Sequence, residues 1–342
     1  MKIAITGGAG FIGRHLTRAY LDAGHDVLVI DSLQLGSRQA IDRRARFYHL
    51  DIRDGKLRAI LQQERPDLLS HHVAQHGVPG AQALSDADVH IRGLLNALDG
   101  CVEASVSKVI FASGGNTLYG RVDTALLPVG EDTPLCPQRP SDISKVAGEW
   151  YVRFYTHSYG LKHTILRYAD VYGETDRTLA HHPLSQMICA LLERSRPIIY
   201  GTGAALSDHI FIEDVVQANL SALTRGENQT LHISSGRGAT LKQMYRLAAV
   251  VLQSEIEPVH LSETPAPASS IVLDNTRARH ILGWRPAISL PEGIQRAVAL
   301  LAERGEHSVS PEGPRDSIAA LAQTTPFAIE ERAHEQRGTV LI

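Results

Sequence analysis

Residues Thr6–Gly13 read TGGAGFIG and join a short apolar run, Lys2–Thr6, to a helix-like stretch, Phe11–Ala23. Glycines at 7, 10 and 13 in that position have separate physical tasks. The first permits a tight turn, the second lets backbone approach a pyrophosphate, and the third lets helix and strand pack closely. The helix start then offers free N–H groups and the positive end of its dipole to the phosphates. Asp31 follows the next apolar run, Asp26–Ile30, at about the 20-residue spacing expected of a ribose-binding carboxylate. A carboxylate there bonds the ribose hydroxyls and repels a 2′-phosphate, so the pattern predicts NAD over NADP. Arg38, Arg43 and Arg44 follow closely and keep NADP open as the exception.

Further apolar runs at Arg46–Leu50, Asp67–His71, Lys108–Ala112 and Lys162–Arg167 alternate with helical stretches at Lys56–Gln63, Ala83–Ala104 and Ser144–Tyr159. That rhythm predicts an α/β protein, a Rossmann-type doubly wound parallel sheet. Beyond Asp170 it breaks. Pro183–Arg194, Leu241–Leu252, Asn275–Leu282 and Leu290–Ala302 read as helices, Ile210–Leu223 as a strand end plus helix, and Thr230–Ile233 as a strand. The expected organisation is a dinucleotide-binding domain over 1–168, rejoined by 209–240, and a smaller C-terminal substrate-binding lobe over 169–208 and 241–303. A linker and tail occupy 304–342, where Glu306–Asp316 is rich in charge, Ser, Pro and Gly, Ser317–Gln323 could form a short helix and Thr339–Ile342 is apolar.

Composition excludes other classes. Across 342 residues, 34 Lys and Arg stand against 37 Asp and Glu, a net charge of −3 that gives no pull towards nucleic acid or an anionic membrane. Cys101, Cys136 and Cys189 are dispersed and form no CxxC pair, so neither a disulfide framework nor a zinc site is expected. No apolar run is long enough to span a bilayer, and the N-terminus lacks the marks of a signal peptide, so a cytoplasmic location is expected.

Other segments carry a family likeness. GxxGxxG at Gly7, Gly10 and Gly13, with Phe11 and Ile12 between, resembles the short-chain dehydrogenase/reductase superfamily. In chain order, Asp51-Ile52 follows the third strand, and His72-Val73-Ala74-Gln75 looks like H-x-A-A-Q. Phe111-Ala112-Ser113 with Tyr119-Gly120 looks like the strand-five serine segment. Leu166–Gly173 is similar to LRYFNVYG, Glu213–Val216 to V-D-D-V, and Leu273-Asp274 with Leu282–Pro286 to LD…LGW-x-P. The set covers about residues 1–303 and resembles the extended branch, the NAD-dependent epimerases and dehydratases, with a UDP-glucose 4-epimerase-like flavour. The resemblance implies an NAD site from Gly7, Gly10, Phe11, Ile12, Gly13, Asp31, Ser32, Asp51, Ile52, Val73, Ala74, Gln75, Lys145, Tyr168 and Val171. It also implies a sugar-derived substrate, either a sugar or a nucleotide-sugar, and a homodimer built on the helices at 83–104 and 144–159.

In that family a tyrosine takes a hydroxyl proton while hydride passes to NAD. A lysine four residues on lowers the tyrosine's pKa, ordinarily near 10, and holds the nicotinamide ribose. Here Pro140–Glu149 resembles P-Y-G-I-S-K-x-A-G-E, with Lys145 in place and Ser141 at the tyrosine position. A serine hydroxyl is shorter and far less acidic than a phenol. Tyr151, six residues past Lys145, lies on another helix face. Gly114 and Gly115 stand where relatives carry a reactive Ser or Thr, which leaves Ser113 and Thr117. His90 and Asp170 each stand at an Asn position, and Ser207 replaces the arginine of R-D-[YF]. A second phosphate-binding arginine has no counterpart in Thr264–Ser270.

The expected catalytic set is therefore Lys145, Ser113 and Ser141, in an atypical site. Ser113 either orients a substrate oxygen or only finishes its strand. Asp142 either acts as a base or caps the helix. The 17 histidines include His71, His72, His76, His90, His181, His182 and His209 near the expected site, either as an acid/base or as structural groups. A metal site at His72 and His76 is disfavoured by Gly77 and Pro79, so no metal is expected. The alternative to an enzyme is a catalytically silent dinucleotide-binding partner or sensor.

Overall fold

The computed structural model describes residues 1–74, 83–173, 182–262 and 270–304. The chain opens with β1 (Lys2–Thr6), α1 (Phe11–Asp22), β2 (Asp26–Asp31), β3 (Arg46–His49), α2 (Lys56–Glu64) and β4 (Leu68–His71). Next come α3 (Ala83–Ala87) and α4 (Leu94–Glu103), joined by a wider π-type turn at Asp88–Gly93, then β5 (Lys108–Gly114), α5 (Pro140–Tyr159) and β6 (Lys162–Tyr168). The later elements are β7 (Asp170–Tyr172), α6 (Pro183–Leu192), β8 (Ile198–Tyr200), β9 (Leu206–Phe211), α7 (Ile212–Ala222) and β10 (Gln229–Ile233). They end with β11 (Gly238–Thr240), α8 (Leu241–Val251), β12 (Val259–Leu261), α9 (Thr276–Leu282) and α10 (Leu290–Arg304).

Seven strands form one parallel sheet in the order β10-β6-β5-β4-β1-β2-β3. The chain winds outward in both directions from β1, so the order reverses between β1 and β4. Doubly wound sheets bind ligands in the crevice outside the strands' carboxyl ends at such a point. Thr6 at the end of β1 lies opposite Ile30 of β2 and His71 of β4.

Two-residue alternation divides the core between the sheet's faces. Ile3, Ile5, Val27 and Val29 pack with Leu16 and Tyr20 of α1 on one face. Ala4, Leu28 and Ile30 pack with Leu57 and Leu61 of α2 on the other. Leu16 is fully buried, so its truncation to alanine would cost about 2–5 kcal/mol. Buried Lys108 is the polar exception in β5. Its ammonium donates to the carbonyls of Ala222 (2.6 Å) and Arg225 (2.7 Å), where the C-terminal end of α7 favours a cation.

Outside this sheet, β11-β9-β7 and β12-β8 form two small sheets. β7 and β9 run parallel and set Asp170 opposite His209.

Three expectations need correction. The helix expected at Ser144 begins a turn earlier, at Pro140, because proline suits the first helical position and its missing N–H has no partner to lose there. Ser141 and Asp142 are thus inside α5, and neither caps it; the cap position is Arg139. The helix expected over Ala83–Ala104 runs without a break to Glu103 but widens to π-helical hydrogen bonding over Asp88–Gly93, the stretch that contains His90. β7, β8, β11 and β12 were not expected. Each is three residues long, too short for a periodic signal, and each pairs with a strand distant in sequence. The expected linker, Ser317–Gln323 and the apolar end at Thr339–Ile342 lie outside the described residues.

Candidate active site

The glycine turn lies at the crevice. Gly7 has a φ of +76°, and a Cβ there would stand 2.7 Å from the His72 backbone. At Gly13 a Cβ would stand 2.2 Å from the Gly7 carbonyl oxygen, so α1 can sit against the turn only without a side chain. Gly10 differs: a Cβ would meet nothing closer than the Gly7 oxygen at 3.4 Å. The backbone at Gly10 therefore borders open space at the start of α1, a cradle that a side chain would fill. Phe11 and Ile12 begin that helix and pack partly buried against the core.

Asp31 ends β2. Its carboxylate accepts from the Ala9 N–H (2.9 Å) and the Leu33 N–H (2.8 Å), which ties the strand end to the glycine turn. Ser32 follows, its carbonyl bonded by the His49 ring. Asp51 follows β3 and is gripped by the Arg53 side chain through Nε (2.9 Å) and Nη2 (2.6 Å), which lowers its pKa. Ile52 is buried behind it. Val73 and Ala74 continue from β4; Gln75 and His76 lie outside the described residues. Tyr168 stacks on His72 with ring centroids 6.2 Å apart and bonds Asn219, while Val171 lies half-buried in β7.

Lys145 projects from α5 to the ends of two strands. Its Nζ donates to the Val73 carbonyl (2.9 Å) and the Ala112 carbonyl (3.0 Å), beside the Phe111 ring. Burial lowers its pKa to about 8, against an opposing pull from Glu149. One turn along α5, Glu149 is fully buried and accepts from Ser113 (2.7 Å), twice from Arg167 (2.9 and 2.7 Å) and from Arg153 (3.1 Å). Ser113 therefore spends its hydroxyl on the helix anchor. Asp142 is likewise occupied: Arg139 Nε donates to it at 2.7 Å and Thr117 Oγ1 at 2.7 Å. Ser141 lies beside it, half-buried on the first turn of α5.

A second polar group adjoins Thr117. Asn116 Nδ2 donates to Ser207 Oγ (2.9 Å), and Ser207 donates to Asp170 Oδ2 (2.6 Å). His209 Nδ1 is 4.0 Å from the same carboxylate oxygen, and the His209 and His182 rings cross edge-to-face at 5.4 Å. Burial lowers both imidazole pKa values, that of His182 to about 4, so both rings are neutral near pH 7. Among the described residues, neither ring nitrogen of His209 has a hydrogen-bond partner, nor do Asn116 Oδ1 and His182 Nε2.

The remaining sequence-named histidines divide. His71 bonds Thr6 (2.8 Å) and stacks on Phe111; His72 bonds Ser70 (2.8 Å); both are structural in this setting. His90 is buried in the turn before α4. His181 lies outside the described residues. Among the described residues no group of three His, Cys, Asp or Glu side chains could hold a metal ion, and no helix is long and apolar enough to cross a membrane. Sequence reasoning missed Arg139, Asn116 and Glu149. Only the acid at 149 in the P-x-x-x-S-K-x-x-x-E run carried a signal, and only for the helix.

A glycine cradle at the head of α1, a carboxylate ending β2 and a lysine on α5 facing the same crevice define a dinucleotide-dependent enzyme fold. The chain belongs to the NAD dependent epimerase/dehydratase family, whose family profile matches residues 3–234. A UDP-glucose 4-epimerase of Mycolicibacterium smegmatis is 30% identical over 315 residues, covering 90% of this chain and 100% of the relative. Among solved structures, a Thermotoga maritima UDP-glucose 4-epimerase with UDP-glucose is 33% identical with a TM-score of 0.86, covering 89% of this chain and 99% of that one. A Thermus thermophilus UDP-glucose 4-epimerase in complex with NAD is 30% identical with a TM-score of 0.84, at the same coverage.

Proposed function

We propose that this chain is an NAD-dependent enzyme of the epimerase/dehydratase type acting on a sugar, with an altered proton-handling site in which Ser141 stands at the tyrosine position. NAD is the cofactor of the family and fits here: Gly10 leaves the backbone at the head of α1 uncovered, and Asp31 ends β2 beside it. When bound, NAD supplies a hydride acceptor. Gly7, Gly10, Phe11, Ile12 and Gly13 would form the pyrophosphate turn, and Asp31 and Ser32 would hold the adenosine ribose. Asp51 and Ile52 would border the adenine, and Val73, Ala74, Gln75, Tyr168 and Val171 the nicotinamide side. Lys145 would hold the nicotinamide ribose. The observation that carries the reading is Lys145, whose partly desolvated ammonium is held at the ends of β4 and β5 by two carbonyls that a ribose hydroxyl can replace.

The domain division proposed is 1–168 with 209–240 for NAD and 169–208 with 241–303 for substrate; the pairing of β10 with β6 supports a return to the large sheet over 229–233, whereas β9 spans the 208/209 boundary and pairs with β11 in the small sheet. A homodimer through α5 is supported by Ile143, Trp150 and Phe154, which share one helix face and are each at least half exposed. A second reading, a silent dinucleotide-binding partner, is favoured by the commitment of Ser113 to Glu149 and Asp142 to Arg139.

NADH fluorescence titration, then a coupled assay with sugars and nucleotide sugars on the wild type and Ser141→Tyr, separates the readings. NAD binding with turnover by either protein supports the enzyme. NAD binding with no turnover by both supports the partner. Failure to bind NAD overturns the enzyme reading.

A further inference from the structure

The polar group beyond Thr117 reaches α5 one turn before Lys145. Asp142 is three residues before Lys145 on α5, Thr117 bonds Asp142, and neighbouring Asn116 bonds Ser207, which bonds Asp170 opposite His209. This group is poor in hydrogen bonds where burial makes them valuable. Asn116 and His209 are each more than nine-tenths buried, yet among the described residues Asn116 Oδ1 and both nitrogens of His209 lack hydrogen-bond partners, as does Nε2 of the adjoining His182. A buried polar atom without a partner costs about 1–3 kcal/mol, so a cluster of them marks a place where a ligand completes the bonding.

The charge of the group restricts that ligand. The Asp170 carboxylate is about two-fifths exposed and stands in the middle of the cluster. The imidazoles of His182 and His209 are neutral near pH 7, because burial opposes their protonation. Arg139, the guanidinium near Asp170, is committed to Asp142 through Nε and Nη2. Ser207 turns its proton to Asp170 and so offers none to an anion. A phosphate here would meet the fixed negative charge of the Asp170 carboxylate, with the Arg139 guanidinium already held by Asp142. What the group offers is acceptors, the Asp170 carboxylate and Asn116 Oδ1, together with the Nε2–H donor of His182, whose Nδ1 already accepts from the Leu184 N–H, and the His209 ring with one donor and one acceptor.

We propose that this cluster is the substrate end of the site and that it takes the hydroxyl groups of an unphosphorylated sugar or polyol, not a nucleoside diphosphate. Neighbouring hydroxyls, each both donor and acceptor, match carboxylate, amide oxygen and neutral imidazole together. The inference rests on the reading of the chain as an NAD-dependent sugar enzyme and specifies its substrate class.

The test is isothermal titration of the full-length, NAD-loaded protein with UDP, UDP-glucose, D-glucose, D-galactose and myo-inositol. Binding of NAD is measured separately by fluorescence. The expected result is saturable binding of at least one neutral ligand, with UDP and UDP-glucose too weak to saturate at about 1 mM. Asp170→Asn should weaken the neutral ligand about tenfold, and Ser207→Arg with Asp170→Asn should gain UDP binding at least about tenfold. Ser207→Ala provides a second, milder perturbation, expected to weaken the neutral ligand, and thermal melts verify that each variant is folded. Binding of UDP by the wild type at or below about 100 µM overturns the proposal. Absence of saturable binding by every neutral ligand overturns it as well. Either result with intact NAD binding leaves the enzyme reading standing, whereas loss of NAD binding removes both.

Discussion

Lys145 Nζ bridges the carbonyl oxygens of Val73 and Ala112, at 2.9 and 3.0 Å, and so joins the exit of β4 to the end of β5. Charge-assisted hydrogen bonds of this kind are worth about 1.5–3 kcal/mol. Lys145→Met retains most of the stem and loses the ammonium. NAD affinity is expected to fall at least about tenfold in a fluorescence titration, since tenfold is about 1.4 kcal/mol. Unchanged affinity would remove Lys145 from the cofactor site.

The glycines separate folding from binding. Gly13→Ala places a methyl 2.2 Å from the Gly7 carbonyl oxygen, and the turn must open. It is expected to lower the melting temperature strongly. Gly10→Ala meets only the Gly7 oxygen at 3.4 Å. It should melt close to wild type while NAD binding drops by about tenfold or more. Similar NAD affinities for Gly10→Ala and wild type would contradict the cradle.

Glu149 carries a buried ion pair with Arg167 and the Ser113 bond. Glu149→Ala leaves the Arg167 guanidinium buried without its partner and should cost about 3–5 kcal/mol in a urea denaturation. Ser113→Ala removes one donor and should cost about 1 kcal/mol. Equal losses from the two variants would rule out this ranking.

Burial depresses the pKa of several histidines, to about 3 for His72 and about 4 for His163, His182 and His232. The unfolded chain takes up their protons near pH 6.5, whereas the folded chain resists until about pH 4. Stability is therefore full above about pH 6.5 and falls as pH drops towards about 4. Each histidine still neutral in the fold contributes a loss of about 1.4 kcal/mol per pH unit. Denaturant midpoints across that window should fall steeply, and a flat profile would refute neutral burial.

Ile143, Trp150 and Phe154 present apolar surface on one face of α5. Sedimentation of the wild type should show a dimer, and Trp150→Asp with Phe154→Arg should yield a monomer. A monomeric wild type would rule out this face as an interface.

The large sheet was legible because each of its first strands is an apolar run followed by an amphipathic helix. The observed bounds of β1, Lys2–Thr6, coincide with the run read from the sequence. Gly7 and Gly13 were legible through spacing, and their need for hydrogen in place of a side chain is visible in the turn. The cluster around Asp170 was less legible. Ser207, Asp170 and His209 stood out as departures from a motif, but Asn116 joined them only when the loop after β5 reached β9. The role of Arg139 depends on α5 starting at Pro140, since that start brings the guanidinium to Asp142.

The anchor of α5 lies below its reactive end. Glu149 holds the helix to β6 through Arg167 and to β5 through Ser113, while Ser141 lies two turns away on the first, half-buried turn. Position 141 is thereby mechanically insulated. On the proposed function, in which position 141 handles the proton, that residue can be exchanged without disturbing the axis on which Lys145 is aimed, so one helix can host different reactions at its tip while its foundation stays the same.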